Sequence, residues 1–171
     1  MPHDTFVHPL QERYPTEEMK RRFSMDRKIR SWREIWATVV KIFRDLGVLV
    51  EGKPITEAQV QELFAAVEAP VDYARAREEE KKMRHDVMAH AKTFAALCPT
   101  AAPLVHWGLT ACDPTDNADI IIMREALEHI ARSLARLIDR VRKFAKDQRD
   151  LVCLSYTHLQ PASPTTYGKR A

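Results

Sequence analysis

Residues 117–149 read NADIIIMREALEHIARSLARLIDRVRKFAKDQR. Within them Ile120, Met123, Leu127, Ile130, Leu134, Leu137, Val141 and Phe144 are separated by 3, 4, 3, 4, 3, 4 and 3, an unbroken heptad seam. No Gly or Pro interrupts the run, and its polar positions are filled mostly by Glu, Arg, Lys, Asp and Gln. The spacing predicts one rigid helix of about 50 Å, at about 1.5 Å of rise per residue. A lone helix cannot cover such a seam, so the expected setting is a helical bundle.

Polar stretches flank this helix. His106 to Asn117 precede it, and Ser155-Tyr156-Thr157-His158-Leu159-Gln160-Pro161 follow it; both read as poor in regular structure. Residues 150–156 reach at most about 23 Å when fully extended, too short to fold back along the rod. One subunit therefore cannot bring the two stretches together, whereas an antiparallel neighbour can. A site shared between subunits is the expected arrangement.

Bulk properties narrow the class. At 171 residues the chain accommodates one or two domains with a real core. Cys98, Cys112 and Cys153 form no metal-like spacing and leave an odd thiol, and no charged-then-apolar leader or long apolar run occurs. A soluble, cytoplasmic protein is expected. With 27 basic and 24 acidic residues the net charge is +3, too balanced for a nucleic-acid footprint but compatible with an anionic small molecule. Four Gly in the whole chain and abundant Ala, Glu, Lys, Arg and Leu predict an all-α fold.

Upstream, residues 1–11 lack periodicity and read as an arm or loop. Thr16 followed by Glu17 and Glu18 reads as a helix N-cap, with Arg13 and Tyr14 just outside it; a guanidinium beside a phenol suits a phosphate or carboxylate. Residues 24–46 predict a helix with Ile29, Trp32, Trp36, Val39, Val40 and Phe43 on its apolar side and Gly47 as its stop. Thr56-Glu57-Ala58-Gln59 is a capping box opening a short helix that carries Val60, Leu63, Phe64 and Val67. A further helix is expected over residues 72–97. There Arg84, His85 and Asp86 would fan around the axis at about 100° each, and His85 and His90 would lie about 140° apart, wrong for a two-histidine metal pair. Ser163-Pro164 reads as an N-cap with Pro at the first helical position, predicting a new helix. The domain boundary is placed near Trp107: residues 1–107 as a helical N-terminal domain, residues 108–171 as the start of a central helical bundle, cut off.

Three stretches together resemble the adenylosuccinate lyase family, within the fumarase and aspartase superfamily. They are Arg84-His85-Asp86-Val87-Met88-Ala89-His90, the loop from Thr110 to Asp119, and residues 157–166, which begin Thr157-His158-Leu159-Gln160-Pro161. The resemblance covers nearly the whole chain and corresponds to the N-terminal portion of the family. It implies a homotetramer around a helical bundle, with active sites shared between subunits, no metal and no organic cofactor, and neither nucleic acid nor membrane as partner. The implied reaction is a β-elimination on a small nucleotide substrate. Fumarate leaves adenylosuccinate to give AMP, and leaves the succinyl-carboxamide ribotide of purine biosynthesis.

By the same resemblance His158 is the general acid, with Thr157 and Gln160 orienting it, and an ordinary imidazole pKa of about 6.5 suits the role. Arg84, His85 and Asp86, Arg13 and Tyr14, and Thr110 fall on substrate-binding segments. Ala111 stands where family members usually carry Ser, which removes one hydroxyl donor, worth about 1 kcal/mol. The family's Ser-rich signature loop, which supplies the base, has no counterpart in this sequence, so the isolated chain is expected to be inactive. Competing readings are a non-catalytic helical interaction module using the seam, another superfamily lyase such as one for argininosuccinate, and nucleic-acid binding through residues 20–33.

Overall fold

Thr16, Ser24 and Thr56 each start a helix where a short polar side chain precedes an amphipathic run. In the computed structural model, which describes residues 8–171, all three act as caps. Thr16 Oγ1 accepts from Met19 N and Ser24 Oγ from Arg27 N, each at 3.2 Å. At Thr56 the box closes reciprocally: its hydroxyl accepts from Gln59 N at 3.3 Å, and Gln59 Oε1 accepts from Thr56 N at 2.9 Å. Each cap contributes about 1 kcal/mol by satisfying an orphan donor.

The elements run α1 Pro9–Glu12, α2 Glu17–Arg22, α3 Met25–Asp45, β1 Leu49–Val50, β2 Lys53–Pro54, α4 Glu57–Ala66, α5 Tyr73–Met83 and α6 Asp86–Ala95. A one-turn 3₁₀ helix, Ala102–Leu104, precedes α7 Cys112–Asp147, β3 Val152–Thr157, β4 Gln160–Thr166 and α8 Tyr167–Arg170. The fold is mostly helical, as expected, with two small antiparallel hairpins added. The arm expected over residues 1–11 lies partly outside the described residues, and its end forms α1. The connection between α3 and α4 holds the β1–β2 hairpin, turning on Glu51 (φ 51°) and Gly52 (φ 76°), the paired positive φ values of a two-residue turn.

The described chain divides into two compact units between Glu125 and Ala126, inside α7. In the first, α3 supplies the axis of the core. Ile29, Trp32, Trp36, Ala37 and Val40 are buried on it, and Val60 and Leu63 of α4 and Val87, Ala91 and Phe94 of α6 close around them. Trp36 and Phe94 stack with centroids 6.0 Å apart. Arg33 is buried in this core. Its Nη1 donates to the Val67 and Ala69 carbonyls at the end of α4, at 3.3 and 2.6 Å, and its guanidinium lies over the Phe94 ring at 5.4 Å. It thereby satisfies carbonyls that the helix end leaves unpaired.

The first part of α7 joins this core through Pro114, Ala118 and Ile122, while Glu125 accepts from Arg27 Nη2 at 2.7 Å. The predicted seam is on another face. Its eight side chains are 37% to 65% exposed, so the packing within the first unit uses a stripe distinct from the heptad.

Two expectations are corrected. The single helix over residues 72–97 is broken: Arg84 caps α5 in the left-handed region (φ 53°) and His85 is extended before α6 begins. No Gly or Pro marks the break, which costs Arg84 about 1 kcal/mol of backbone strain, offset by burial of Val87, Ala91 and Phe94 in the core. Arg84, His85 and Asp86 therefore do not fan around one axis. The second correction concerns Ser163-Pro164, which lies inside β4, where Leu154 pairs with Pro164. In a two-stranded ribbon the missing proline donor can face outward, and Ser155 Oγ donates to the Ser163 carbonyl at 2.5 Å, beside a register shift in β3. The helix start falls three residues later, at Thr166, whose hydroxyl accepts from Lys169 N.

The second unit thus holds the rest of α7, the β3–β4 hairpin and α8. Gly168 lets α8 close against the end of α7: a Cβ there would meet the Ala145 carbonyl at 2.3 Å and Arg149 Cα at 2.7 Å. No described helix is long and apolar enough to cross a membrane.

Candidate functional site

The break between α5 and α6 places the Arg84-His85-Asp86 segment at an exposed junction. Arg84 N donates to the Glu80 carbonyl at 2.6 Å, ending α5, and the positive φ turns the chain outward. His85 Nδ1 lies 3.5 Å from Asp86 Oδ1, and Asp86 opens α6, where a carboxylate suits the helix dipole. All three side chains are exposed.

The loop before α7 is built by its own short bonds. Thr110 N donates to Asp113 Oδ2 at 2.8 Å and Asp113 N to the Thr110 carbonyl at 3.1 Å, half of a capping box that leaves the Thr110 side chain exposed. Ala111 is half-buried and packs against the edge of the core with Leu109. At this position a methyl group makes apolar contact where a hydroxyl would need a partner.

His106, absent from the predicted site residues, ties the loop to the core. Its backbone is left-handed (φ 66°), and its Nδ1 accepts from the Trp36 indole Nε1 at 3.1 Å, with the rings edge to face at 5.9 Å. Burial holds its pKa below the ordinary 6.5, and the neighbouring His85 pushes the same way while Asp113 opposes. The electrostatic coupling puts His85, His106 and Asp113 in one neighbourhood. A lone His between apolar Val105 and Trp107 before Gly108 was the available sequence signal.

His90 also has a lowered pKa, from burial first and then Arg33, with Asp86 and Glu80 opposing. It packs edge-on against Trp32 at 5.7 Å and Tyr73 at 6.3 Å, which is a core role. Both lowered histidines favour the neutral ring in the folded state. Their contribution to stability is complete above the unfolded value near 6.5 and is lost as the pH falls below it. The urea midpoint should therefore decline as the pH is lowered from about 7.5 to about 5. A flat profile over that window would remove the argument.

Arg13 and Tyr14 occupy the turn between α1 and α2, and Tyr14 is 73% exposed. Among the described residues no hydrogen bond or ion pair joins them to residues 84–86 or 106–113. In the second unit, Thr157 and Gln160 pair across the end of the β3–β4 hairpin, and His158 (φ 52°) and Leu159 (φ 62°) form its two-residue tip. The turn projects His158 into solvent, with Leu159 95% exposed beside it. Among the described residues no cluster of three or more His, Cys, Asp or Glu could hold a metal ion.

Residues 16–171 match the family model described as lyase. The adenylosuccinate lyase of Schistosoma mansoni is 42% identical over 167 residues, which is 98% of this chain and 34% of that protein. That of Saccharomyces cerevisiae is 40% identical over 170 residues, again 34% of its length. The chain thus spans about a third of these relatives. Among solved structures, the 3-carboxy-cis,cis-muconate lactonizing enzyme of Pseudomonas putida superposes with a TM-score of 0.79 at 21% identity, covering 94% of this chain and 36% of that one. The fumarate lyase of Mesorhizobium sp. BNC1 gives 0.77 at 23%, covering 90% and 35%. At these identities the two structures speak for the fold alone.

Proposed function

The chain belongs to the lyase family, and from that membership we propose that it is the N-terminal part of an adenylosuccinate lyase. One observation supports the reading above the rest. Of the five described non-glycine residues with positive φ, Arg84, His158 and Leu159 lie in the polar segments that carry the resemblance, and His106 lies four residues before the Thr110 segment. Backbone strain of about 1 kcal/mol or more per residue persists where surrounding structure enforces it, and it concentrates at functional sites.

In the proposed reaction a proton leaves the carbon next to a carboxylate, an aci-carboxylate forms, and the departing nitrogen takes a proton as fumarate separates. His158, at the hairpin tip, donates that last proton, and Thr157 and Gln160 orient it. Arg84, His85, Asp86, Thr110, Arg13 and Tyr14 hold the nucleotide phosphate and carboxylates, with arginine forks suited to both groups. Residues 1–107 serve as the N-terminal domain and residues 108–171 open the central bundle of a cytoplasmic homotetramer. Each active site is completed by other subunits and by a base outside this sequence.

A chimera tests the proposal: residues 1–171 replace the corresponding third of the Saccharomyces cerevisiae relative, and fumarate release from adenylosuccinate is followed. The chimera should be active, the 171-residue chain alone should release none, and His158→Ala in the chimera should cost about 10² to 10⁴ in rate. A folded, assembled chimera without activity, or one indifferent to His158→Ala, would overturn the assignment.

A further inference from the structure

Two buried tryptophans stand four residues apart on α3, and their indole N–H groups are treated differently. The Nε1 of Trp32 is buried without a hydrogen-bond partner. That of Trp36, on a side chain with no exposed surface, reaches His106 Nδ1 at 3.1 Å. The core thus sends one directed donor out to the segment that leads into the Thr110 loop.

An indole N–H can only donate, so the nitrogen facing it must present a lone pair. A proton on Nδ1 would set two donors against each other at 3.1 Å, in the Nδ1–H tautomer and in the imidazolium alike. The proton of the neutral ring belongs on Nε2, because the bond made by one ring nitrogen decides the state of the other. The backbone holds the ring in place for this contact: His106 sits at φ 66°, and its carbonyl accepts from Leu109 N at 3.3 Å. The edge-to-face contact at 5.9 Å leaves the ring little freedom to flip. His85 and Asp113 are the titratable groups whose fields reach this histidine, with opposite effects.

We infer that Trp36 is a positioning residue for His106: its indole N–H fixes the ring as the Nε2–H tautomer and leaves that N–H as the edge offered to a bound substrate. The reference to a substrate rests on the lyase reading; the tautomer does not. Trp36 acts only through His106 and touches no reacting atom.

The test is nitrogen-15 NMR of the histidine rings in the 171-residue chain, at a pH where they are neutral. His106 should show a pyridine-type Nδ1 and a pyrrole-type Nε2, with a scalar coupling between Trp36 Nε1 and His106 Nδ1 across the hydrogen bond. Trp36→Phe, which retains an aromatic ring in the core, should abolish the coupling and turn the single tautomer into a mixture. A pyrrole-type Nδ1 in the unsubstituted chain would overturn the inference without any variant, as would a folded Trp36→Phe chain whose tautomer is unchanged. These outcomes are separable from the lyase reading. An inactive chimera leaves the tautomer standing, and a failed tautomer leaves the lyase assignment standing.

Discussion

Trp36→Ala should lower the stability of the first unit by about 3–5 kcal/mol, the range for emptying a fully buried aromatic site. The side chain has no exposed surface, stacks on Phe94, and meets Trp32 and His106 edge to face at 6.4 and 5.9 Å. Four contacts are lost at once: the ring packing on three sides and the hydrogen bond to His106 Nδ1. Whole domains are stable by only about 5–15 kcal/mol, so the variant loses a large share of its stability. Urea titration followed by circular dichroism measures this directly. A loss below about 1 kcal/mol would mean that α3 does not carry the core as the structure shows. Trp36→Phe should cost distinctly less, because it retains most of the apolar volume, which is why it serves as the probe of the hydrogen bond.

Charging the seam should abolish self-association while leaving the fold intact. Ile130 and Leu137 are 51% and 56% exposed, and each belongs to the heptad stripe that the chain leaves uncovered. If that stripe is the bundle contact of the proposed tetramer, Ile130→Glu with Leu137→Glu buries two carboxylates. At several kcal/mol each, association should weaken by about a thousandfold or more. Helical content should hold, since neither side chain contributes to a buried core within the chain. Analytical ultracentrifugation with and without the substitutions decides the matter. A chain that is monomeric before substitution, or an oligomer that survives it, would remove the seam as the contact and the shared active site with it.

The elements legible in the sequence are those encoded by near neighbours. Thr16, Ser24 and Thr56 are caps in the structure because the donors they satisfy lie only three residues away. The α7 helix was legible for the same reason, although it starts five residues before the expected Asn117, at Cys112, since Asp113 and Pro114 are well tolerated in a first turn. The family segments were legible as residue types, and their exposure in the structure suits the proposed roles. Less legible was the backbone that presents them. Nothing in Met83-Arg84-His85 signals a left-handed residue, and residues 155–161 read as irregular and Ser163-Pro164 as a helix start, because the strands 152–157 and 160–166 pair across a turn that lacks glycine.

Period and capping are properties of a single segment, so the helix starts and the existence of a rod with an apolar seam follow from the amino-acid order alone. Choices between faces are not. Residues 117–149 carry apolar side chains on more than one stripe, and burial of Ala118 and Ile122, not Ile120 and Met123, follows from what α3 presents. The place of Arg33 in the core depends on carbonyls 34 and 36 residues away, and that of His106 on an indole 70 residues away. Such contacts release their free energy only once the chain has closed on itself, so no local pattern carries them.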